Sequence, residues 1–365
     1  MNKKNINKGG GVLSGLLLLI IGIGLLWYNE GRTVKTLNTI NEAKKNYTDV
    51  SSATVDSKYE GKLIATKGKI DINNVSLLTD TKFGINVKAA KLKRVVEMYQ
   101  WKESCETDED DKTTCTYEQV WEDSLIDSSD FKEPGHTNPT TMPYASEEYI
   151  ADNVKLGAYI LPEELIKKLS CNRKKDNTEL TQEYNKSIEG LNVVDNYITN
   201  VKDNNAAIGN IRISYEYLDS ETVSVMAVQD GNSFVAFTSK TGKDVYKIMK
   251  GNYTGAQILE GMVKSNNNLK WILRIIGILL VIGAFNSMFA FINNIAGLVP
   301  ILGNIVQGAT GLIATLLGLA VSLLVIAIAW FRFRPILSLV LILVAVFIVF
   351  FLRMKKSNVK VEDKK

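Results

Sequence analysis

From Trp271 to Leu352 the chain runs for 82 residues with only three charges, Arg274, Arg332 and Arg334. No water-soluble core concentrates apolar residues in one block of that length, so the block predicts membrane helices. A second uncharged stretch, residues 12–29, lies near the N-terminus. Averages conceal both, since 46% of the residues are hydrophobic and the net charge is only +4. Together the two stretches exclude a purely soluble enzyme.

Residues 12–28 read as an uncleaved transmembrane anchor. At about 1.5 Å per residue they reach about 25 Å. No small-residue cleavage pattern follows them, because Trp27, Tyr28, Asn29 and Glu30 come next. Further spans are expected at 271–291, 311–331 and 335–352, with Arg274 snorkelling outward from the start of the first. Residues 292–310 are softer. Their apolar positions continue a helical spacing through Ile292, Ala296, Val299, Leu302 and Val306, which predicts an interfacial or re-entrant helix. Gly297, Asn304, Gly308, Gly311 and Gly318 form a side suited to close helix packing.

Four spans place both termini on one side. The tails, 1–11 and 353–365, carry a net +7, so that side is expected to be cytoplasmic. Arg332 and Arg334 fall on the other side and run against this assignment. Residues 29–270 then form an extracytoplasmic domain of net charge −6, which argues against nucleic acid as a partner. The expected class is an integral membrane protein with an α-helical membrane block, of one N-terminal and about three C-terminal spans, and a β-rich α+β extracytoplasmic domain.

Within that domain, Pro134, Pro139, Pro143 and Pro162 mark an internal boundary or a long loop near 130–160. Strands are expected at 62–70 and 83–88. The clearest signal is a long hairpin of residues 91–105 and 115–126. With Cys105 opposite Cys115, Tyr99 faces Trp121, Trp101 and Tyr117 share that face, and Lys102 faces Glu118. The same register leaves a disulfide between Cys105 and Cys115 open as one option. Cys171 has no partner. Residues 211–217, 222–228 and 233–238 read as a three-stranded meander, and 162–170 and 254–264 as helices.

Chemistry is sparse. His136 is the only histidine, which rules out sites needing two. It is expected to brace a proline-rich loop by hydrogen bonds; the competing reading makes it a general base with Asp130, Glu133 or Asn138. The acidic turn at Asp108, Glu109, Asp110 and Asp111 lacks the spacing of a calcium loop. No nucleophile elbow, phosphate loop or Cys-x-x-Cys occurs. No catalytic residue, cofactor or metal is therefore expected.

Five segments carry a family resemblance. Residues 27–32 read WYNEGR, 96–101 VEMYQW, 135–139 GHTNP, 237–242 FTSKTG and 330–335 WFRFRP. In order and spacing they resemble the WNEGR, VEMYQW, GHKNP, FSTKSG and WLFYRP segments of the transmembrane protein 43 (LUMA) family. The motif positions are Asn29, Glu30, Gly31, Arg32, Glu97, Tyr99, Trp101, Gly135, His136, Asn138, Pro139, Trp330, Arg334 and Pro335. The turn at 106–114 is shorter than in the animal proteins. The resemblance implies one N-terminal span, a large lumenal domain and a C-terminal membrane block. It also implies residence in the endoplasmic reticulum or inner nuclear membrane in animals, self-association, and a role in organising membrane complexes with emerin and lamins. It supplies no catalytic residues. The Lys- and Asn-rich composition suggests a microbial member, placed in the cell membrane.

Expected partners are therefore the lipid bilayer, further copies of the chain and other membrane or envelope proteins. Two alternatives are a lipid-handling or enzymatic site around His136 and a small channel using Asn293, Asn294, Asn304 and Gln307.

Overall fold

A computed structural model describes residues 10–107, 112–185, 188–203, 205–296, 303–336 and 338–339. Five helices are present among them: α1 (Gly10–Asn46), α2 (Glu163–Lys167), α3 (Asn177–Glu183), α4 (Gly255–Ala296) and α5 (Gly303–Phe333). Three of these, α1, α4 and α5, are long and apolar enough to cross a membrane. The described residues divide into two compact units, one holding the long helices with residues 238–244, the other spanning 46–237 and 245–258.

In the helical unit, both α1 and α4 outrun their apolar stretches. α1 has 37 residues and α4 has 42, lengths of about 55 and 63 Å. Residues 29–45 and 259–270, expected in the β-rich domain, are helical and belong to this unit. Among the described residues of the expected interfacial helix, 292–310, none forms a separate helix. Their flanks extend α4 and α5, and Pro300 lies outside the described residues. The expected fourth span, 335–352, lies outside them too apart from its first few positions, as do the basic C-terminal tail and most of the N-terminal one.

Side chains from all three long helices meet. Leu26, Val281 and Ile326 form a small buried core, flanked by Ile23, Ile278 and Val325. Glycines set the spacing. A Cβ on Gly15 would lie 2.9 Å from the Ala284 carbonyl oxygen, and one on Gly22 would lie 2.8 Å from Val281. Gly318 of α5 packs equally tightly on Ile282, whereas Gly311 faces open space. Rows of exposed Leu and Ile, such as Leu13, Leu17 and Ile20 on α1, supply lipid-facing surface.

The other unit is built on two seven-stranded sheets. In one, Leu63–Asp71 and Thr222–Asp230 pair antiparallel at the centre. In the other, Lys91–Thr107 pairs with Ile211–Leu218 on one edge and with Thr113–Glu122 on the opposite edge. The long strand buries alternate residues, Leu92, Val96 and Met98, as a period of two requires. These meet Ile64, Val225 and Phe234 of the first sheet in one core. Inside that core Asp80 is fully buried; it pairs with Arg94 and accepts the Tyr215 hydroxyl at 2.7 Å.

The hairpin register is as expected, with Cys105 opposite Cys115, Tyr99 opposite Trp121 and Lys102 opposite Glu118. Lys102 nonetheless makes its ion pair with Glu122, at 3.1 Å. The meander is not formed. Ile211–Leu218 and Thr222–Asp230 belong to different sheets, and only the second forms a hairpin, with Ser233–Val235. The proline-rich stretch at 130–160 separates no bodies and is a loop with short strands inside one unit. Thr254 and Gln257 bond each other's backbone N–H at the start of α4, a capping box that fixes where the helix begins.

Candidate functional site

The sequence places single charges beside apolar runs, and the helical unit brings two of them together. Glu30 of α1 is fully buried. Arg274 of α4 donates Nε to its Oε1 at 2.7 Å. Trp330 of α5 donates Nε1 to its Oε2 at 2.9 Å. One carboxylate thus ties all three long helices. Arg274 does not snorkel outward; it is 7% exposed and turns in toward the acid. Its guanidinium also lies over Trp271 at 5.0 Å and Trp330 at 5.6 Å. An ionisable residue held among membrane helices is costly unless paired, and such pairs mark functional positions.

The neighbouring motif residues extend this cluster. Asn29 donates to the Lys270 carbonyl at 2.9 Å. Arg32 donates to Asn266 at 2.9 Å and to the Asn29 side chain at 3.3 Å. Gly31 admits the ring of Phe333, which a Cβ would meet at 2.8 Å. Arg334 lies 5.9 Å over the Trp330 ring and, with Pro335, follows the end of α5. Residues 238–244 add a second polar contact to the same unit. Thr39 of α1 bonds Ser239 at 2.9 Å and Thr241 at 2.7 Å, and Lys243 donates to Thr36 at 2.8 Å.

The remaining motif residues gather in the β-rich unit. The loop containing Gly135, His136, Asn138 and Pro139 docks on the aromatic face of the hairpin. His136 stacks on Tyr117, with ring centroids 3.9 Å apart and 10° between planes. It meets Trp101 edge-on at 4.6 Å. Asn138 accepts from the Trp101 N–H at 2.7 Å and donates to the Trp101 carbonyl at 2.8 Å. Its amide thereby stands in for a neighbouring strand. Gly135 adopts φ +97°, the left-handed turn that brings the loop back. Tyr117 donates to Glu103 at 2.5 Å and accepts the Glu133 N–H at 2.9 Å. The Tyr117 hydroxyl and then the Lys132 N–H hold the Glu103 carboxyl below its usual range. Nearby, Tyr99 packs on Trp121 at 5.1 Å, and Arg212 grips Glu97 through two bonds of 2.7 and 2.8 Å.

His136 thus braces the loop by stacking rather than by hydrogen bonds, and its Nδ1 is buried without a partner. Of the acids considered with it, Asp130 and Glu133 are exposed. Asn138 spends its amide on Trp101 and on the Ile126 carbonyl. A cleft of about 630 Å³ opens beside Asn138, lined by Ile126, Asp127, Ser128 and Thr137.

Cys105 and Cys115 are joined by a disulfide. They lie with Glu103 in a grouping of metal-type ligands, but sulfurs bonded to each other are not thiolates and do not ligate a cation. The acidic residues 108–111 lie outside the described residues. The sequence reading missed the Glu30–Arg274–Trp330 junction. Its signal was present, because Glu30 is the single acid of residues 1–41 and Arg274 the single charge of residues 271–331.

The family model of transmembrane protein 43 matches residues 98–335. The human transmembrane protein 43 is 26% identical over 351 residues, covering 91% of this chain and 86% of its own. The homolog from Drosophila melanogaster is 26% identical over 350 residues, covering 91% of each chain. No solved structure matches.

Proposed function

Because the chain belongs to the transmembrane protein 43 family, we propose that it is a multi-pass scaffold that organises complexes in the membrane where it resides, without turning over a substrate. The observation that supports this is where its polar side chains are spent. Glu30 gives both oxygens to helix partners. Asn138 gives its amide to a neighbouring peptide, and Glu97 gives both oxygens to Arg212. Catalysis needs a base or nucleophile held in reach of a bound substrate. Here such groups hold the frame instead. A frame fixed in this way suits a protein whose work is to present surfaces.

Crosslinking in native membranes, followed by mass measurement of the full chain in nanodiscs, tests the reading. An assembly of fixed stoichiometry, of this chain alone or with one membrane protein, is the expected result. A monomer at all concentrations, carrying only lipid, overturns it.

Two observations on one loop favour a second reading, a site for a small polar or lipid ligand: the 630 Å³ cleft lined by Asp127, Ser128, Thr137 and Asn138, and the buried, unpartnered Nδ1 of His136, which does not itself line that cleft. His136→Phe keeps the stack and removes both ring nitrogens. Unchanged cellular behaviour of that variant excludes the second reading.

A further inference from the structure

The helical unit carries more positive charge at one level than its own acids answer. Lys270 lies 5.6 Å over the Trp271 ring, and Arg274 lies 5.0 Å over the same ring. Arg274 also lies 5.6 Å over Trp330, and Arg334 lies 5.9 Å over Trp330. Three cations therefore alternate with two indoles across α4 and the end of α5. The acid in contact with this ladder is Glu30, and both its oxygens are committed to Arg274 and Trp330. That neutralises the middle rung and leaves the two ends.

Neither end forms an ion pair among the described residues, although Glu30, Arg274 and Arg334 act on Lys270 at longer range. The Lys270 ammonium donates to the Asn267 amide at 3.1 Å. The Arg334 guanidinium has no carboxylate within ion-pair distance there. Both side chains are part-exposed, so a ligand reaches them. Next to them, Arg32 bonds Asn266, Asn29 and Thr33, and Lys243 bonds Thr36, again all neutral. Burial first, and then the positive charges of Arg32 and Lys35, push the Lys243 ammonium below its usual range.

Trp27, Trp271 and Trp330 fix the depth of these cations. Indoles gather where headgroups meet the hydrocarbon. The anions present at that depth are lipid phosphates, and basic pockets between membrane helices recognise anionic headgroups. Lysine binds a phosphate as a point charge and arginine binds it through a planar fork.

We propose that Lys270 and Arg334 hold the phosphate of an anionic glycerophospholipid at the Trp27–Trp271–Trp330 level, with the Glu30–Arg274 pair fixing the site from behind. A phosphate there completes the ladder electrostatically. It also gives Arg334, which runs against the charge rule for membrane orientation, a local reason to be basic. The inference stands apart from the assembly proposed above.

The test uses the full chain, delipidated in detergent and returned to nanodiscs of phosphatidylcholine with a minor fraction of phosphatidylglycerol. Native mass spectrometry is expected to find phosphatidylglycerol retained in preference to phosphatidylcholine. Lys270→Gln with Arg334→Gln is expected to weaken that retention roughly tenfold or more. Lys264→Gln, an exposed lysine on the same helix, leaves it unchanged. Equal retention of the two lipids by the unaltered protein overturns the proposal, whatever the variants do. So does an equal loss in Lys264→Gln, which would make the effect one of general surface charge. Inorganic phosphate that raises the melting temperature as much as phosphatidylglycerol assigns the site to a free anion and overturns it as well.

Discussion

Arg274 meets Glu30 at 2.7 Å across 244 residues of chain, and Trp330 closes the other carboxylate oxygen from a third helix. The pair is stabilising only as a pair, since burial penalises each charge alone. Arg274→Ala is expected to destabilise the helical unit by about 3–5 kcal/mol. Glu30→Gln combined with Arg274→Met is expected to cost less than either single change, because no charge is left stranded. Unfolding midpoints in detergent give the double-mutant cycle. Strictly additive losses would mean that the two side chains do not act together.

Glycine positions on α1 make a sharper test of helix packing. A Cβ at Gly22 meets Val281 at 2.8 Å and the Gly277 carbonyl oxygen at 3.2 Å, while one at Gly24 meets nothing within 4 Å. Gly22→Leu is expected to cost about 1–3 kcal/mol through overpacking. Gly24→Ala is expected to be neutral or to gain up to about 1 kcal/mol from helix propensity. Crosslinking between cysteines introduced at the Ser14 and Ser287 positions, whose hydroxyls lie 3.3 Å apart, reports whether the two helices stay together. Equal behaviour of the two glycine variants would contradict the packing described.

The β-rich unit should weaken at alkaline pH. Burial raises the hydroxyls of Tyr215, Tyr149, Tyr159 and Tyr184, and pushes that of Tyr246 up to about 12. In the unfolded chain these groups ionise near pH 10. A raised folded value means their stabilisation is complete below about pH 10 and declines above it. Absorbance at the tyrosinate band, followed alongside circular dichroism, should show some tyrosines ionising only as structure is lost. Tyr215→Phe also removes the bond to buried Asp80, an expected loss of about 1–3 kcal/mol at neutral pH. Ionisation of all 14 tyrosines near pH 10 with the fold intact would refute this account.

Three cysteines give a count that mass spectrometry reads directly. With Cys105 and Cys115 bonded, the denatured, unreduced chain takes one alkyl label, on Cys171, and the reduced chain takes three. Burial raises the Cys171 thiol above its ordinary value. Labelling of the folded protein is therefore slow at neutral pH and quickens above the usual thiol range, about 8.5. Replacing both hairpin cysteines by serine should cost about 2–3 kcal/mol, from the short loop they close. The loss should appear as faster hydrogen exchange near the hairpin tip, with residues 63–71 unaffected.

The hairpin was legible because three independent signals agreed on one register: alternating aromatics, opposed charges and two cysteines. The meander was misread because adjacency in sequence does not say which sheet a strand enters. Asp219, Ser220 and Glu221 carry the chain from one sheet to the other without leaving a composition signal. Apolar runs located the membrane helices but not their ends, since hydropathy reports what faces lipid and not where the backbone stops being helical. The junction at Glu30 was hidden for another reason. Its members come from segments 244 and 300 residues away, and nothing local pairs them. Hydrogen bonds from the His136 ring were expected to brace its loop; the ring instead stacks on Tyr117 and its Nδ1 has no partner, a contact that spacing along the chain does not encode.

Asn138 has a consequence beyond holding its loop. The Trp101 peptide faces outward from the long strand, and an unpaired peptide at such an edge is a template on which another chain can add. The Asn138 amide supplies both the donor and the acceptor that a foreign strand would bring. One side chain thus acts as a plug against edge-to-edge growth, and its loss would expose the protein to misassembly before it cost much of the fold.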